Sequence, residues 1–143
     1  MSHYSEVKTS IKDLECLVKA LITMGFKKEH VDLLSEKEQL RGYTGDSREQ
    51  RADVRIKGSG WGRGQNHVGG ASNDLGWEKQ ANGTYAMHVS DYDSHRYGKT
   101  WQDKMEAQYS SEVIKKKARQ CGYHLAETYD KTSGEITLKV NVF

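Results

Sequence analysis

The chain has 143 residues, a length that fits one domain with a buried core. Its 22 lysines and arginines against 20 aspartates and glutamates leave a net charge of +2, too near neutral to indicate a nucleic-acid or membrane surface by charge alone. No apolar run approaches the roughly 18 residues of a membrane span. We therefore expect a single soluble, cytoplasmic domain over residues 1–143 that does not contact a membrane.

The first half of the chain predicts a strand, a helix and two more strands. Residues 3–9 read as a short strand, and Ser10 with Asp13 three residues later is typical of a helix N-cap. Gly25 predicts the end of this helix. The helical spacing of apolar residues predicts a buried stripe of Leu14, Leu17, Val18, Leu21 and Ile22.

A short strand is predicted around residues 30–34, followed by a turn-rich loop at residues 41–46. The strict alternation of residues 51–57 predicts a half-buried strand. Its inward residues would be Ala52, Val54 and Ile56, and its outward ones Arg51, Asp53, Arg55 and Lys57.

The second half predicts a hairpin, a long helix and a closing hairpin. Asn82-Gly83 is a hairpin turn signal between strands at residues 75–79 and 84–91. The second helix runs from Thr100 to Arg119 and ends at Gly122. Its predicted inward stripe is Met105, Tyr109, Val113, Ile114 and Ala118.

Two strand–helix–strand halves predict an α+β fold. We expect a ferredoxin-like, mostly antiparallel sheet with two long helices on one face and an extra hairpin. The other face of such a sheet would stay open to solvent or a partner.

Glycine is concentrated in the middle of the chain, where eight of the 14 glycines lie between Gly58 and Gly83. This density predicts a loop insertion at about residues 58–74. Residues 58–65 are expected to be mobile and peripheral, and residues 66–76 to form an ordered lead-in to the next strand. Asn73 and Asp74 could bond nearby backbone and shape that turn, or contact a partner.

No motif names a reaction. His88, Asp91, Asp93 and His95 match no metal-ligand spacing, and there is no phosphate-binding loop and no nucleophile elbow. We therefore predict no catalytic residue, no metal site and no cofactor, and a protein that is more typical of a binding module than of an enzyme. A small metal- or cofactor-dependent enzyme stays open as an alternative.

The loops carry side chains that commonly contact partners. The predicted partner-binding residues are Tyr43, Trp61, Arg63, Asn66, His67, Asn73, Asp74, Tyr92 and Asp93. A second alternative is single-stranded RNA, because an open sheet face and the Trp61-Gly-Arg-Gly64 sequence resemble RNA-contacting surfaces. Base stacking needs outward aromatic residues on the strands, however, and Tyr4 is the one candidate there.

Several segments together resemble a known family. The opening Met1 to Leu14, Arg41-Gly-Tyr-Thr-Gly45, Ala52-Asp-Val54 and the segment from His67 to Gly76 resemble the hypothetical-chloroplast-reading-frame family of cyanobacteria, plastids and some of their viruses. The resemblance covers almost the whole chain, apart from the Trp61-Gly-Arg-Gly64 insertion. It implies an uncharacterised accessory or adaptor protein near an AAA-type ATPase, located in the cytoplasm, the stroma or a viral host's cytoplasm. No catalytic residue can be carried over from it.

Overall fold

The computed structural model describes residues 3–142, with the backbone alone for residues 123–129 and 140–142. The strands are β1 (Tyr4–Val7), β2 (Asp32–Arg41), β3 (Ser47–Ile56), β4 (Leu75–Lys79), β5 (Tyr85–Ser90), β6 (Tyr123–Tyr129) and β7 (Ile136–Val142). The α-helices are α1 (Leu14–Thr23), α2 (Ser94–Tyr97) and α3 (Lys99–Cys121), and single 3-10 turns occupy Lys28–His30 and Ser59–Trp61.

The first five strands form one antiparallel sheet in the order β1-β5-β4-β3-β2. Strands β6 and β7 pair with each other as a separate two-stranded sheet, and both contact α3. The predicted α+β class, with an antiparallel sheet, two long helices and an additional hairpin, is confirmed.

Helices α1 and α3 pack on the same face of the five-stranded sheet. Leu17 and Leu21 of α1, Met105 of α3 and Trp77 of β4 all belong to one buried cluster. The hydroxyl of Tyr109 in α3 accepts hydrogen bonds from the backbone N–H groups of Lys12 and Asp13, each at 2.9 Å. The two helices are therefore held together at the start of α1 as well as through the core.

The start and the buried stripe of α1 differ from the prediction. Asp13 is the N-cap instead of Ser10, because its Oδ1 accepts the N–H of Cys16 at 3.1 Å. Leu14 and Ile22 are each 38% exposed. The small residues Cys16 and Ala20 are buried in their place, since α1 contacts both the sheet and α3 and its inward face is turned toward the residues that permit close approach.

The predicted stripe of α3 is also only partly buried. Met105, Tyr109 and Ala118 lie inside, as expected, whereas Ile114 is 46% exposed. The polar Gln108 and Ser111 are buried instead. Helix α3 also contacts the closing hairpin and α1. The hairpin turn at Gly134 lies against Lys104, and Lys116 in a later turn bonds Asp13 at the start of α1.

Strand β2 is longer than the five residues predicted, because it continues with β3 as a ten-residue hairpin arm. The β2–β3 register shifts between Leu33 and Glu38, which bends the hairpin. A Cβ added to Gly76 would point away from the helices and lie 2.9 Å from Ala52 Cβ and Leu40 Cδ1. The far half of the hairpin is therefore folded over the second face of the sheet.

This folding covers part of the sheet face that was expected to be open, while outward residues such as Glu6 and Arg51 stay exposed. On that second face Arg55 and His88 are 5% exposed and Ser90 is 0% exposed. Arg55, expected to point into solvent, is thus buried. Ala52 is buried as predicted, but against the second face, while Val54 and Ile56 point into the helix-side core.

Candidate functional site

Three segments meet at one end of the sheet: residues 42–46, 57–74 and 91–98. We call this region the loop end. Its backbones approach closely, since a Cβ on Gly58 would lie 2.7 Å from the carbonyl O of Ser72, and one on Gly60 would overlap the carbonyl O of Gly42. Only glycine allows such contacts. Gly58 therefore brings the two ends of segment 57–74 together, and Gly60 brings that segment against residues 42–46.

Asn73 connects all three segments of the loop end. Its Oδ1 accepts the backbone N–H of Tyr43 at 2.8 Å, and its Nδ2 donates to Ser90 Oγ at 2.8 Å. Its backbone N–H donates to Asp93 Oδ2 at 3.0 Å. The side chain is 1% exposed, so these bonds are shielded from water. Asn73 therefore holds the loops that carry Tyr43 and Tyr92 in a fixed relation.

Asp74 is fully buried and surrounded by N–H donors. Its carboxylate accepts the backbone N–H groups of Gly58 and Arg41, each at 2.8 Å, and the indole Nε1–H of Trp61 at 3.0 Å. Burial raises the pKa of Asp74 above its ordinary value, although the three donors lower it. Its backbone carbonyl accepts the Tyr4 hydroxyl at 2.7 Å. Through its carboxylate and its backbone carbonyl, Asp74 is thus a structural acceptor for three parts of the chain.

The indole ring of Trp61 lies among three cations. Arg41 Cζ is 3.7 Å from the ring centroid, Arg55 Cζ is 4.5 Å from it and Lys57 Nζ is 4.7 Å from it. Arg55 is also held by Asp32, at 3.0 Å from Nε. Cation–π contacts and the bond to Asp74 together keep this half-buried indole in place.

Residues 66–70 are tied to the segment that follows β5. Asn66 Oδ1 accepts the N–H of Gly69 at 2.9 Å, and Tyr97 donates its hydroxyl to the carbonyl O of Val68 at 2.8 Å. The Arg96 guanidinium donates to the same Val68 carbonyl. The glycine-rich lead-in is therefore bonded to α2 as well as to itself.

His67 stacks on His30 across the sheet edge. The ring centroids are 3.6 Å apart and the planes differ by 6°. Burial and the neighbouring His30 lower the pKa of His67 below its usual value. A cleft beside His67, about 420 Å³ in volume, is lined by Phe26, Tyr97 and Trp101 among others. Its aromatic walls could accept a planar group. The Tyr97 hydroxyl is already bonded within the chain, because it accepts from Arg96 and donates to the Val68 carbonyl.

Metal ligation finds no support in the part of the chain that the structure describes, where no three His, Cys, Asp or Glu residues are grouped to hold an ion. His88 Nε2 lies 2.9 Å from Glu78 Oε1, and Asp93 accepts from Ser90, so these residues have other partners.

The structure brings the nine predicted site residues to the loop end in three environments. Tyr43 and Tyr92 are 54% and 53% exposed, and Arg63 is exposed as well. Three of the residues are partly exposed, namely Trp61, Asn66 and His67. The remaining three are buried, namely Asn73, Asp74 and Asp93. Contact of these residues with a partner stays a prediction.

Two expectations for the glycine-rich segment can be compared with the structure. Asn73 and Asp74 do accept bonds from backbone, but that backbone belongs to Arg41, Tyr43 and Gly58, which lie 33, 30 and 16 positions from their partners instead of in the adjacent turn. The expectation that residues 58–65 are wholly peripheral is wrong for residues 58–61, which pack between the other loops. Gly62 and Gly64 have φ of 93° and 85° with open space around them, and they form the exposed tip of the glycine-rich segment.

Residues that border the loop end were not predicted as part of the site. Arg41 stacks on Trp61, and Ser90 accepts from Asn73 across 17 positions, and no local sequence pattern reports such contacts. Ser72 adjoins the predicted Asn73, and a serine followed by asparagine and aspartate is the one signal that could have pointed to it.

The fold is of the α+β class, and the polar residues of its loop end bond mainly to one another. The family model described as "Protein of unknown function (DUF1257)" matches residues 20–139, and the chain belongs to that family. Comparisons with curated proteins and with solved structures found no match. In the part of the chain that the structure describes, no helix is both long and apolar enough to pass through a membrane.

Proposed function

We propose that this chain is a non-enzymatic binding module that contacts a protein partner through the loop end. One observation carries the proposal: Asn73 bonds the loop of Tyr43 to the loop of Tyr92, and both tyrosines are more than half exposed. Exposed tyrosines supply large contact areas with a polar tip, and they are enriched at protein interfaces.

The fixed geometry of the loops supports the same proposal. Loops that are already ordered lose less conformational entropy when they bind. Three buried polar side chains, Asn73, Asp74 and Asp93, hold the surface without being part of it. Of the predicted site residues, Tyr43, Tyr92, Arg63 and the accessible part of Trp61 would form the contact.

An AAA-type ATPase is the partner that the resemblance to the hypothetical-chloroplast-reading-frame family suggests. The adaptor role, a cyanobacterial, plastid or cyanophage origin and a cytoplasmic or stromal location belong to this proposal. The DUF1257 match supports kinship with an uncharacterised family and leaves these finer statements as proposals.

Site-specific photo-cross-linking in the source cells tests the proposal. A photoreactive phenylalanine analogue is placed at Tyr43 or Tyr92, and at Leu14 or Ile114 as controls of similar exposure on the helical layer. Residue 114 lies about 22 Å along α3 from the first residue of the helix, well away from the loop end. We expect one discrete cross-linked protein from positions 43 and 92 and none from the controls. Equal cross-linking at all four positions, or none at 43 and 92, contradicts the proposal.

Single-stranded RNA binding remains the alternative, and it has less support from the geometry. Tyr4, the candidate for base stacking, donates its hydroxyl to Asp74 and lies under the Arg48 guanidinium, 5.3 Å from Cζ to the ring centroid. RNA binding predicts affinity that falls steeply with salt. Cross-links to RNA instead of protein from positions 43 and 92 would replace the proposal with this alternative. A small metal- or cofactor-dependent enzyme predicts a bound ion or chromophore in the purified protein.

A further inference from the structure

Besides the outer edge of β2, which ends the main sheet on one side, two further strand edges lack a neighbouring strand over some or all of their length. Strand β1 ends the sheet and pairs with β5 alone. Strand β3 pairs with β4 only over residues 54–56, so residues 47–53 pair with β2 alone. In the described part of the chain, both edges therefore present backbone groups without a strand beside them.

These two edges face each other across one cleft. Because the β2–β3 hairpin folds over the second face of the sheet, the start of β3 lies opposite β1. The cleft is about 400 Å³ in volume and is lined by residues 3–4 on one side and 46–50 on the other. The Arg48 guanidinium over the Tyr4 ring spans it at one point.

The direction of the backbone groups on β1 follows from antiparallel pairing. The N–H of Asp91 donates to the carbonyl O of His3 at 2.7 Å, which makes this the hydrogen-bonded kind of pair. Along an antiparallel ladder, hydrogen-bonded pairs alternate with non-hydrogen-bonded pairs, whose N–H and C=O groups point away from the partner strand. With Tyr4 opposite Ser90 in the register, the N–H and C=O groups of Tyr4 and Glu6 point away from β5.

The same reasoning orients Ser47 on β3. Gly42 donates its N–H to the carbonyl O of Asp46 at 2.8 Å, which makes these two residues a hydrogen-bonded pair. The next pair, Arg41 with Ser47, is therefore a non-hydrogen-bonded pair. Arg41 indeed uses its outward N–H and C=O to bond Asp74. The corresponding groups of Ser47 therefore point away from β2, toward β1.

We propose that an extended segment of a protein partner inserts between β1 and β3 and adds a strand to both edges. This inference rests on the proposed function of protein binding and names how the partner is held. A strand backbone matches the outward groups of Tyr4 and Ser47, which line the cleft, and those of Glu6, which lies two residues further along the β1 edge. Strand addition uses such backbone groups in other proteins. Because the lining is polar apart from Tyr4, the segment carries small or polar side chains. Four residues of β1 span about 13 Å, which sets its length at roughly four residues.

The first experiment selects a displayed library of random linear peptides on the purified chain and compares two variants. Glu6→Pro removes the outward N–H, and proline is tolerated on an edge strand where the N–H faces out. Glu6→Thr removes the same carboxylate but keeps the N–H. We expect Glu6→Pro to weaken the selected peptides by roughly tenfold, and Glu6→Thr to bind like the original chain.

Amide hydrogen exchange supplies the second readout. On addition of a selected peptide, the N–H groups of Tyr4, Glu6 and Ser47 should exchange more slowly. In Glu6→Pro without peptide, the N–H of Asp91 should keep its protection, which shows that β1 still pairs with β5.

Any one of four outcomes overturns the inference. The library yields no peptide, the selected peptides bind Glu6→Pro as tightly as the original chain, or protection appears elsewhere on the surface. Self-association of the chain that Glu6→Pro abolishes would likewise overturn it, because the edge would then pair with a second copy. A cross-linked partner at positions 43 and 92 that is indifferent to Glu6→Pro leaves the proposed function standing while the inserted strand fails.

Discussion

At the scale of single residues, the loop end depends on buried polar groups that are satisfied by one another. A carboxylate as enclosed as Asp74 is costly unless donors surround it. The indole N–H of Trp61 and the backbone N–H groups of Gly58 and Arg41 supply those donors. The residues that shape this surface are therefore buried, whereas Tyr43, Arg63 and Tyr92 are exposed on it.

Replacement of Trp61 by phenylalanine tests this arrangement. Trp61→Phe keeps an aromatic ring for the neighbouring cations but removes one donor from Asp74, so we expect a loss of about 1–3 kcal/mol in the free energy of unfolding. The pKa of Asp74 should rise further, because the indole N–H lowers it. Denaturant unfolding and a carboxyl NMR titration measure the two effects. An unchanged Asp74 pKa contradicts the assigned role.

The stacked histidines predict a pH dependence of stability. Because the pKa of His67 is lower in the folded chain than its ordinary value of 6.5, the unfolded chain takes up the proton first. The contribution is present above about pH 6.5 and is lost as the pH falls through that value toward the folded pKa. Asp32 opposes this shift, whereas His30 and Lys57 favour it.

The matched variant for this prediction is His67→Phe, which keeps a ring against His30 but does not titrate. Denaturant unfolding from pH 7.5 down to pH 6 should show a smaller loss of stability in His67→Phe than in the original chain. Parallel curves for the two proteins would show that His67 does not contribute.

At the scale of elements, the bent β2–β3 hairpin is the main departure from the expected architecture. Its far half covers the second face of the sheet, where Leu40 and Ala52 lie against Gly76. This contact both buries Arg55 and His88 and places the start of β3 opposite β1. Local patterns could not predict it, because alternation in residues 51–57 reports burial but not which of two faces provides it.

Coupled substitutions test the folded hairpin. Gly76→Ala should destabilise the chain by about 1–3 kcal/mol, since the new methyl overlaps Leu40 and Ala52. In a Leu40→Ala background the same change should cost at least about 0.5 kcal/mol less, because part of the overlap is gone. Gly83→Ala, in the β4–β5 turn with nothing near it, is the control that should add independently. Additive effects at residues 40 and 76 would place the hairpin elsewhere.

Much of the fold was accessible from sequence because it depends on local signals. The Asn82-Gly83 turn, the alternation in β5 and the Gly25 and Gly122 helix ends each act within a few residues. The candidate site was only partly accessible, since Asn73 joins Tyr43 and Ser90 across 30 and 17 positions. A residue's type suggested that it would bond, but only the fold determined its partners.

At the scale of the whole molecule, the helical layer packs on one face of the sheet. The loop end, with its two exposed tyrosines, lies at one end of the sheet. The DUF1257 family match covers α1 in part and every strand except β1, with the last residues of β7 beyond it. A binding role at the loop end therefore rests on elements within the matched region. By contrast, the proposed inserted strand also requires β1, which lies outside it.

The most direct test of the binding account uses the partner that photo-cross-linking identifies. That partner is purified without a cross-link, and its affinity is measured for two double variants of the chain. Tyr43→Ser with Tyr92→Ser removes the exposed tyrosines of the loop end, and Leu14→Ser with Ile114→Ser removes comparably exposed apolar residues from the helices. Calorimetric titration should show at least about tenfold weaker binding for the first pair, equivalent to about 1.4 kcal/mol, and unchanged binding for the second. Unchanged binding by the tyrosine variant, with its fold intact, would contradict the account.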